Sequence, residues 1–187
     1  MAKYWKPLFA LSGVSMLMTA CQSIDTLQLK KIKETKETQS NALIYCAGTQ
    51  DCEFERLDQT IIIDAKSGHL NKEAMKQNLV RLNGQKLSQP NPIYLSIPSG
   101  QHELVVRFYP ISKDKAEVLH VFHNFHAKRK YTLKMYRERS TKVDSLLNAS
   151  VPDPLCVDLM RESKTIRRFC KPYNVQTGIA EFVERKI

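Results

Sequence analysis

No stretch of this 187-residue chain reaches the roughly 20 consecutive apolar residues that a membrane-spanning helix needs. The longest apolar run, Pro7–Met18, is too short to cross a bilayer. Nucleophile elbows, HExxH pairs, Gly-rich phosphate loops and carboxylate pairs at a useful spacing are also missing. Ser99 stands beside Gly100 but lacks the preceding glycine of G-x-S-x-G. From residue 22 to residue 41 there is no aromatic, glycine or proline. These absences argue against a threaded membrane protein and against an enzyme, and no cofactor is expected.

The opening residues carry the sharpest signal. Lys3 and Lys6 form a short positive segment, Pro7–Met18 has the length of a signal-peptide apolar region, and the small pair Thr19-Ala20 closes it. An ordinary secretory signal that happens to be cut near a cysteine is one reading. Leu17-Met18-Thr19-Ala20-Cys21, however, resembles the lipobox of bacterial lipoproteins, with Met18 where that family more often has Leu. The resemblance implies removal of residues 1–20 and acylation of Cys21, with diacylglycerol on the thiol and a palmitate-type chain on the amine. Gln22, rather than Asp, after the cysteine implies sorting to the outer membrane. One acyl chain holds a protein only marginally, whereas several together hold it almost permanently.

Five cysteines are an odd number, and lipidation of Cys21 leaves four, which allow three pairings. Export places them in an oxidising compartment. Cys46 and Cys52 enclose the turn-forming Ala47–Asp51, while Cys156 and Cys170 flank a hairpin turning near Ser163-Lys164. The expected disulfides are therefore Cys46–Cys52 and Cys156–Cys170. Zinc is the alternative, but these spacings without neighbouring histidines match no standard ligand pattern.

Residues 21–41 are expected to be a lipidated N-terminus and tether, and residues 42–187 a single β-rich periplasmic domain. Twenty flexible residues would reach about 25 Å; alternatively Leu27, Leu29 and Ile32 dock as a first strand. Ala42–Tyr45 and Cys52–Leu57 read as a hairpin around the first cysteine loop, and Thr60–Ile63 as a core strand. Asn71–Val80 has helix-forming composition. Asn83-Gly84 between short arms signals a hairpin, and Pro98–Gly100 a tight turn between Ile93–Ile97 and Glu103–Tyr109. Val118–Phe125 and Lys130–Tyr136 read as another strand pair. The expected fold is mainly β, a small disulfide-stapled β-sandwich with a short helix.

Residues 80–137 resemble PEGA-like sandwich modules of bacterial surface proteins, through Asn83-Gly84, Ile93–Ile97, Pro98-Ser99-Gly100-Gln101-His102 and Leu104–Val106. That resemblance implies an accessory surface domain rather than a reaction.

Two clusters remain. His120, His123 and His126 hint at metal or haem, yet on a strand His123 faces away from the other two. Lys128, Arg129, Lys130, Lys134, Arg137, Arg139 and Lys142 concentrate positive charge, either as a solvated strand or as an anion-facing patch. Lys3 and Lys6 supply two of the ten net positive charges, so the processed chain stays near +8. Such a balance favours anionic partners; export makes these an envelope protein or anionic envelope polymer, not nucleic acid. The expectation is a non-enzymatic, outer-membrane-anchored binding domain. A ligand-, metal- or haem-binding lipoprotein and a hydrolase inhibitor are the alternatives.

Overall fold

A computed structural model describes residues 26–84, 90–138, 153–172 and 180–187. Cys21 and Arg139, and most of the loop around Leu146–Pro154, lie outside them.

Alternating burial builds the strands. In β1 (Ala42–Ala47) every second residue is buried; β8 (Lys130–Arg137) repeats the pattern over Tyr131, Leu133 and Met135, and β2 (Asp51–Leu57) follows it until its register shifts between Phe54 and Arg56. The remaining strands are β3 (Thr60–Ile61), β4 (Val80–Leu82), β5 (Ile93–Ile97), β6 (Gly100–Tyr109) and β7 (Glu117–Phe125). β9 (Leu155–Arg161), β10 (Lys164–Lys171) and β11 (Val183–Arg185) follow. Residues 26–31 form a helical turn, α1, and Lys72–Lys76 form α2. The Asn71 side chain caps α2 by accepting from the Glu73 amide.

Among the described residues the strands form two sheets. The larger runs β11-β10-β9-β8-β1-β5-β4 and the smaller β3-β2-β6-β7. Their inner faces share one core, in which Ile44, Phe54, Leu95, Val106, Phe108, Leu119 and Leu133 are buried. The molecule is a mainly β sandwich with short helices, as its strand patterning predicts. Among the described residues no helix is long and apolar enough to cross a membrane.

Both disulfides form as the spacing predicts, in different roles. Cys156 and Cys170 are register partners on the neighbouring strands β9 and β10. Cys46 and Cys52 join β1 in the larger sheet to β2 in the smaller one. The stretch around the first cysteine loop is therefore a corner between sheets and not a hairpin. Gly48 makes the corner possible: its φ is +88°, and an added Cβ would lie 2.0 Å from the Met135 carbonyl oxygen.

A second corner replaces the expected pairing of Val118–Phe125 with Lys130–Tyr136. β7 pairs with β6 and β8 with β1, in parallel, and with β9. The reason is apolar: Phe125 and Tyr131 enter the core from opposite sheets and meet edge to face, 4.9 Å apart. The buried Tyr131 hydroxyl accepts from the His126 amide. The Asn83-Gly84 hairpin is likewise not a two-residue turn. β4 pairs with β5 through Leu82 and Ile93, and the alternate residues Ile93, Leu95 and Ile97 are all buried. Thr60–Ile63 is a strand only over its first two residues, with Ile61 exposed and Ile62 and Ile63 buried. The expected Asn71–Val80 helix stops at Lys76, and Val80 opens β4.

The polar segment before β1 is neither a first strand nor free of the domain. Leu29 on α1 is 2% exposed and belongs to the core, and Ile32 packs against it. Asn41 and Ser40 offer their carbonyls to the Lys128 amide. Burial of one leucine contributes about 1.5–3 kcal/mol, enough to hold a short helix that would not form alone.

Two stability measurements follow from this packing. Replacing either cysteine pair by alanine should lower unfolding free energy by about 2–4 kcal/mol in urea melts. Leu29→Ala should cost about 2–5 kcal/mol, as core truncations do, whereas Leu27→Ala, at an exposed position, should leave the midpoint nearly unchanged.

Candidate functional site

The basic residues singled out from the sequence run along β8 and the turn before it. Lys128 and Arg129 are exposed in that turn, and Lys128 holds a positive φ of 57°. Lys130 and Lys134 alternate with the buried Tyr131, Leu133 and Met135, so both project outward from the larger sheet. Strand geometry sets them about 13 Å apart. Arg137 ends the strand and donates to the Asp153 carbonyl. The structure thus spreads these groups into a ridge rather than gathering them at one point.

Aromatic residues flank the ridge, which the sequence did not reveal. Tyr45 on β1 stacks on Tyr94 on β5, with ring centroids 4.7 Å apart and planes at 14°. The Lys130 ammonium sits 4.4 Å from the centre of the Tyr45 ring. Burial and the neighbouring Tyr94 raise the Tyr45 hydroxyl above its ordinary pKa. The arrangement offers cations and aromatic faces side by side on an outward sheet surface.

Farther along the same sheet, Asp158 is a satisfied carboxylate. Arg168 grips it through two hydrogen bonds of 2.7 and 2.9 Å, and the Tyr136 and Thr165 hydroxyls donate to it at 3.2 Å. Burial pushes the Asp158 carboxyl up, but the Arg168 hydrogen bonds and charge outweigh that and hold it below its ordinary value. Arg168 is raised in turn, first by its hydrogen bond to Asp158.

The outward face of the smaller sheet is different, because its charges are mutually engaged. Arg56 makes a bidentate pair with Glu103, at 3.0 and 2.7 Å. Arg107, nearly buried, lies 3.0 Å from Glu53 and 3.5 Å from Glu55. The Tyr109 hydroxyl donates to Glu53, and burial followed by that carboxylate pushes it up to about 12. A cavity of about 280 Å³ opens beside this network, lined in part by Asp51, Glu53, His69 and Lys113. Its carboxylates are already occupied. Asp51 accepts from the Cys52 and Asn91 amides and pairs with Lys113, and Glu53 serves Tyr109 and Arg107.

The three histidines of the 120–126 stretch separate. His120 faces outward, 3.5 Å from Glu103. His123 turns inward against Phe125 and Tyr131, at 4.9 and 5.5 Å, where burial and then Arg167 lower its pKa. His126 lies beyond the end of β7. Among the described residues the one grouping with metal-ligand geometry is Glu138 with Cys156 and Cys170, and both sulfurs are in the disulfide.

His102, at the end of the Pro98–His102 motif, is a local staple. Its Nδ1 lies 2.6 Å from Asp58 and its Nε2 3.1 Å from the Pro98 carbonyl oxygen. Asp58 also accepts from the Glu103 amide. The motif was visible in the sequence; its partner, 44 residues earlier, was not.

The Asp158 pairing fixes the sign of one pH effect. A carboxyl held low in the folded chain contributes stability above the unfolded carboxyl range, near 3.9, and loses it as pH falls through the folded value. Asp158→Asn should therefore unfold more easily than the parent at neutral pH, with the gap closing in acid. Urea midpoints between pH 7 and the acid limb would read this directly.

The chain matches no protein-family model, no curated protein and no solved structure.

Proposed function

We propose that this protein is a lipid-anchored binding domain of the bacterial envelope. Cys21 holds it to the outer membrane, and the sandwich faces the periplasm and engages another envelope component without catalysing a reaction. The observation that carries the reading is the cysteine count. Four of five cysteines pair with one another in the sandwich. The fifth, Cys21, has no thiol partner left in its own chain and directly follows Leu17-Met18-Thr19-Ala20. Disulfides persist in the oxidising compartments to which a signal segment leads. Acylation gives the remaining thiol a chemical role in that setting.

The binding side of the proposal rests on the outward face of the larger sheet. Lys130 and Lys134 project beside the Tyr45–Tyr94 stack. Cations next to aromatic faces suit an acidic protein surface or an anionic envelope polymer.

Intact mass of the protein isolated from membranes, with and without Cys21→Ser, tests the anchor. A chain starting at Cys21 with a triacyl increment, lighter by two hydrogens for each disulfide, is the expected result. An unlipidated chain starting elsewhere would overturn the proposal.

A further inference from the structure

The packing of α1 shortens the distance at which a lipid on Cys21 can hold the domain. Leu29 is already in the core, so the domain begins at α1. Five residue steps separate Cys21 from Thr26, at most about 18 Å fully extended. An acylated cysteine sits at the boundary of the hydrocarbon, below a headgroup layer about 5–8 Å thick. What remains is shorter than the radius of gyration expected for a domain of this size, about 15 Å. The surface around α1 therefore stays within about 10–13 Å of the headgroups.

That surface has matching chemistry. Leu27 shares the outward side of α1 with Lys30 and Lys31, its neighbours at three and four positions along the helix. Leu27 is 59% exposed, and both lysines are exposed. Lys33 follows and is also exposed. One apolar side chain with two ammonium groups on the same side of the helix is the composition of an interfacial contact, apolar below the phosphates and cationic beside them.

We infer that the outward face of α1, Leu27 with Lys30 and Lys31, together with the exposed Lys33 just past the helix, docks on the anionic phospholipid surface and fixes the orientation of the sandwich. The inference rests on the proposed anchor at Cys21. Docking through α1 sets which way the sheets face, because Leu29 locks the helix to the core.

The processed chain offers a clean reporter. The chain's single tryptophan, Trp5, lies within the segment that cleavage removes, so Leu27→Trp places the only indole in the mature protein. Lipidated Leu27→Trp protein would be reconstituted into vesicles of zwitterionic and anionic phospholipid, some carrying bromine near the headgroup. Phe122→Trp, exposed on the outward face of the smaller sheet, is the comparison. Expected are strong quenching and a blue-shifted emission for Leu27→Trp, neither for Phe122→Trp, and loss of most of the quenching when Lys30→Glu and Lys33→Glu are added. If the protein carries its acyl mass and pellets with vesicles but the Leu27→Trp indole stays unquenched, the docking inference is overturned and the anchor stands. If it carries no acyl mass and stays in the supernatant, the anchor reading fails and takes the docking with it.

Discussion

The placement of β1 in the middle of the larger sheet is the constraint on which the rest of the sandwich depends. β1 pairs with β5 on one side and, in parallel, with β8 on the other. Through Cys46 it is also bonded to β2 in the facing sheet. Without β1 the larger sheet would divide into β4-β5 and β8 through β11. A parallel neighbour distant in sequence requires a long closure, which is entropically unfavourable. The Cys46–Cys52 link offsets part of that by fixing the corner next to the strand that must be captured. Gly48 at the same corner gives the passage its only workable side chain, because any Cβ would collide with the β8 backbone.

Charge is distributed over this frame unevenly. The smaller sheet's outward face is a set of closed pairs, Arg56 with Glu103 and Arg107 with Glu53 and Glu55. The partly exposed Arg56–Glu103 pair contributes little to stability, whereas buried Arg107 depends on its carboxylates for compensation; together they leave that face with little uncompensated charge. The net positive balance of the chain therefore shows elsewhere, at Lys130 and Lys134 beside the tyrosine stack and at Lys30, Lys31 and Lys33 around α1. A uniformly basic protein would adhere to any polyanion. Pairing one face and leaving two others cationic gives direction to the same composition.

Much of this architecture was legible in the sequence where local rules suffice. Alternation in Tyr131, Leu133 and Met135 marked β8, and two short cysteine spacings marked both disulfides, because each closes a turn of its own. Two of the errors share one cause. Adjacent strands were read as paired, yet β1 and β2, and likewise β7 and β8, belong to opposite sheets. Alternation reports which face of a strand is buried and not which neighbour it joins. The Asp158–Arg168 and Asp58–His102 pairs could not be read for the same reason, since each needs the fold to bring its partners together. Residues 26–41 were hidden differently: a segment dominated by Lys, Glu and Thr docks through one fully buried leucine. Composition averages over such a residue.

That leucine changes what an anchor at Cys21 would do. A free twenty-residue tether would let the domain sample about 25 Å from the bilayer and search for partners in that volume. With α1 folded onto the core, the search volume collapses to a layer at the membrane surface. Effective concentration then rises for anything embedded in or lying on that same leaflet, and falls steeply for partners in the bulk periplasm. The cationic ridge on the larger sheet would act at that leaflet, presented at a fixed angle by a short, packed connection, with affinity gained from orientation rather than from added contacts.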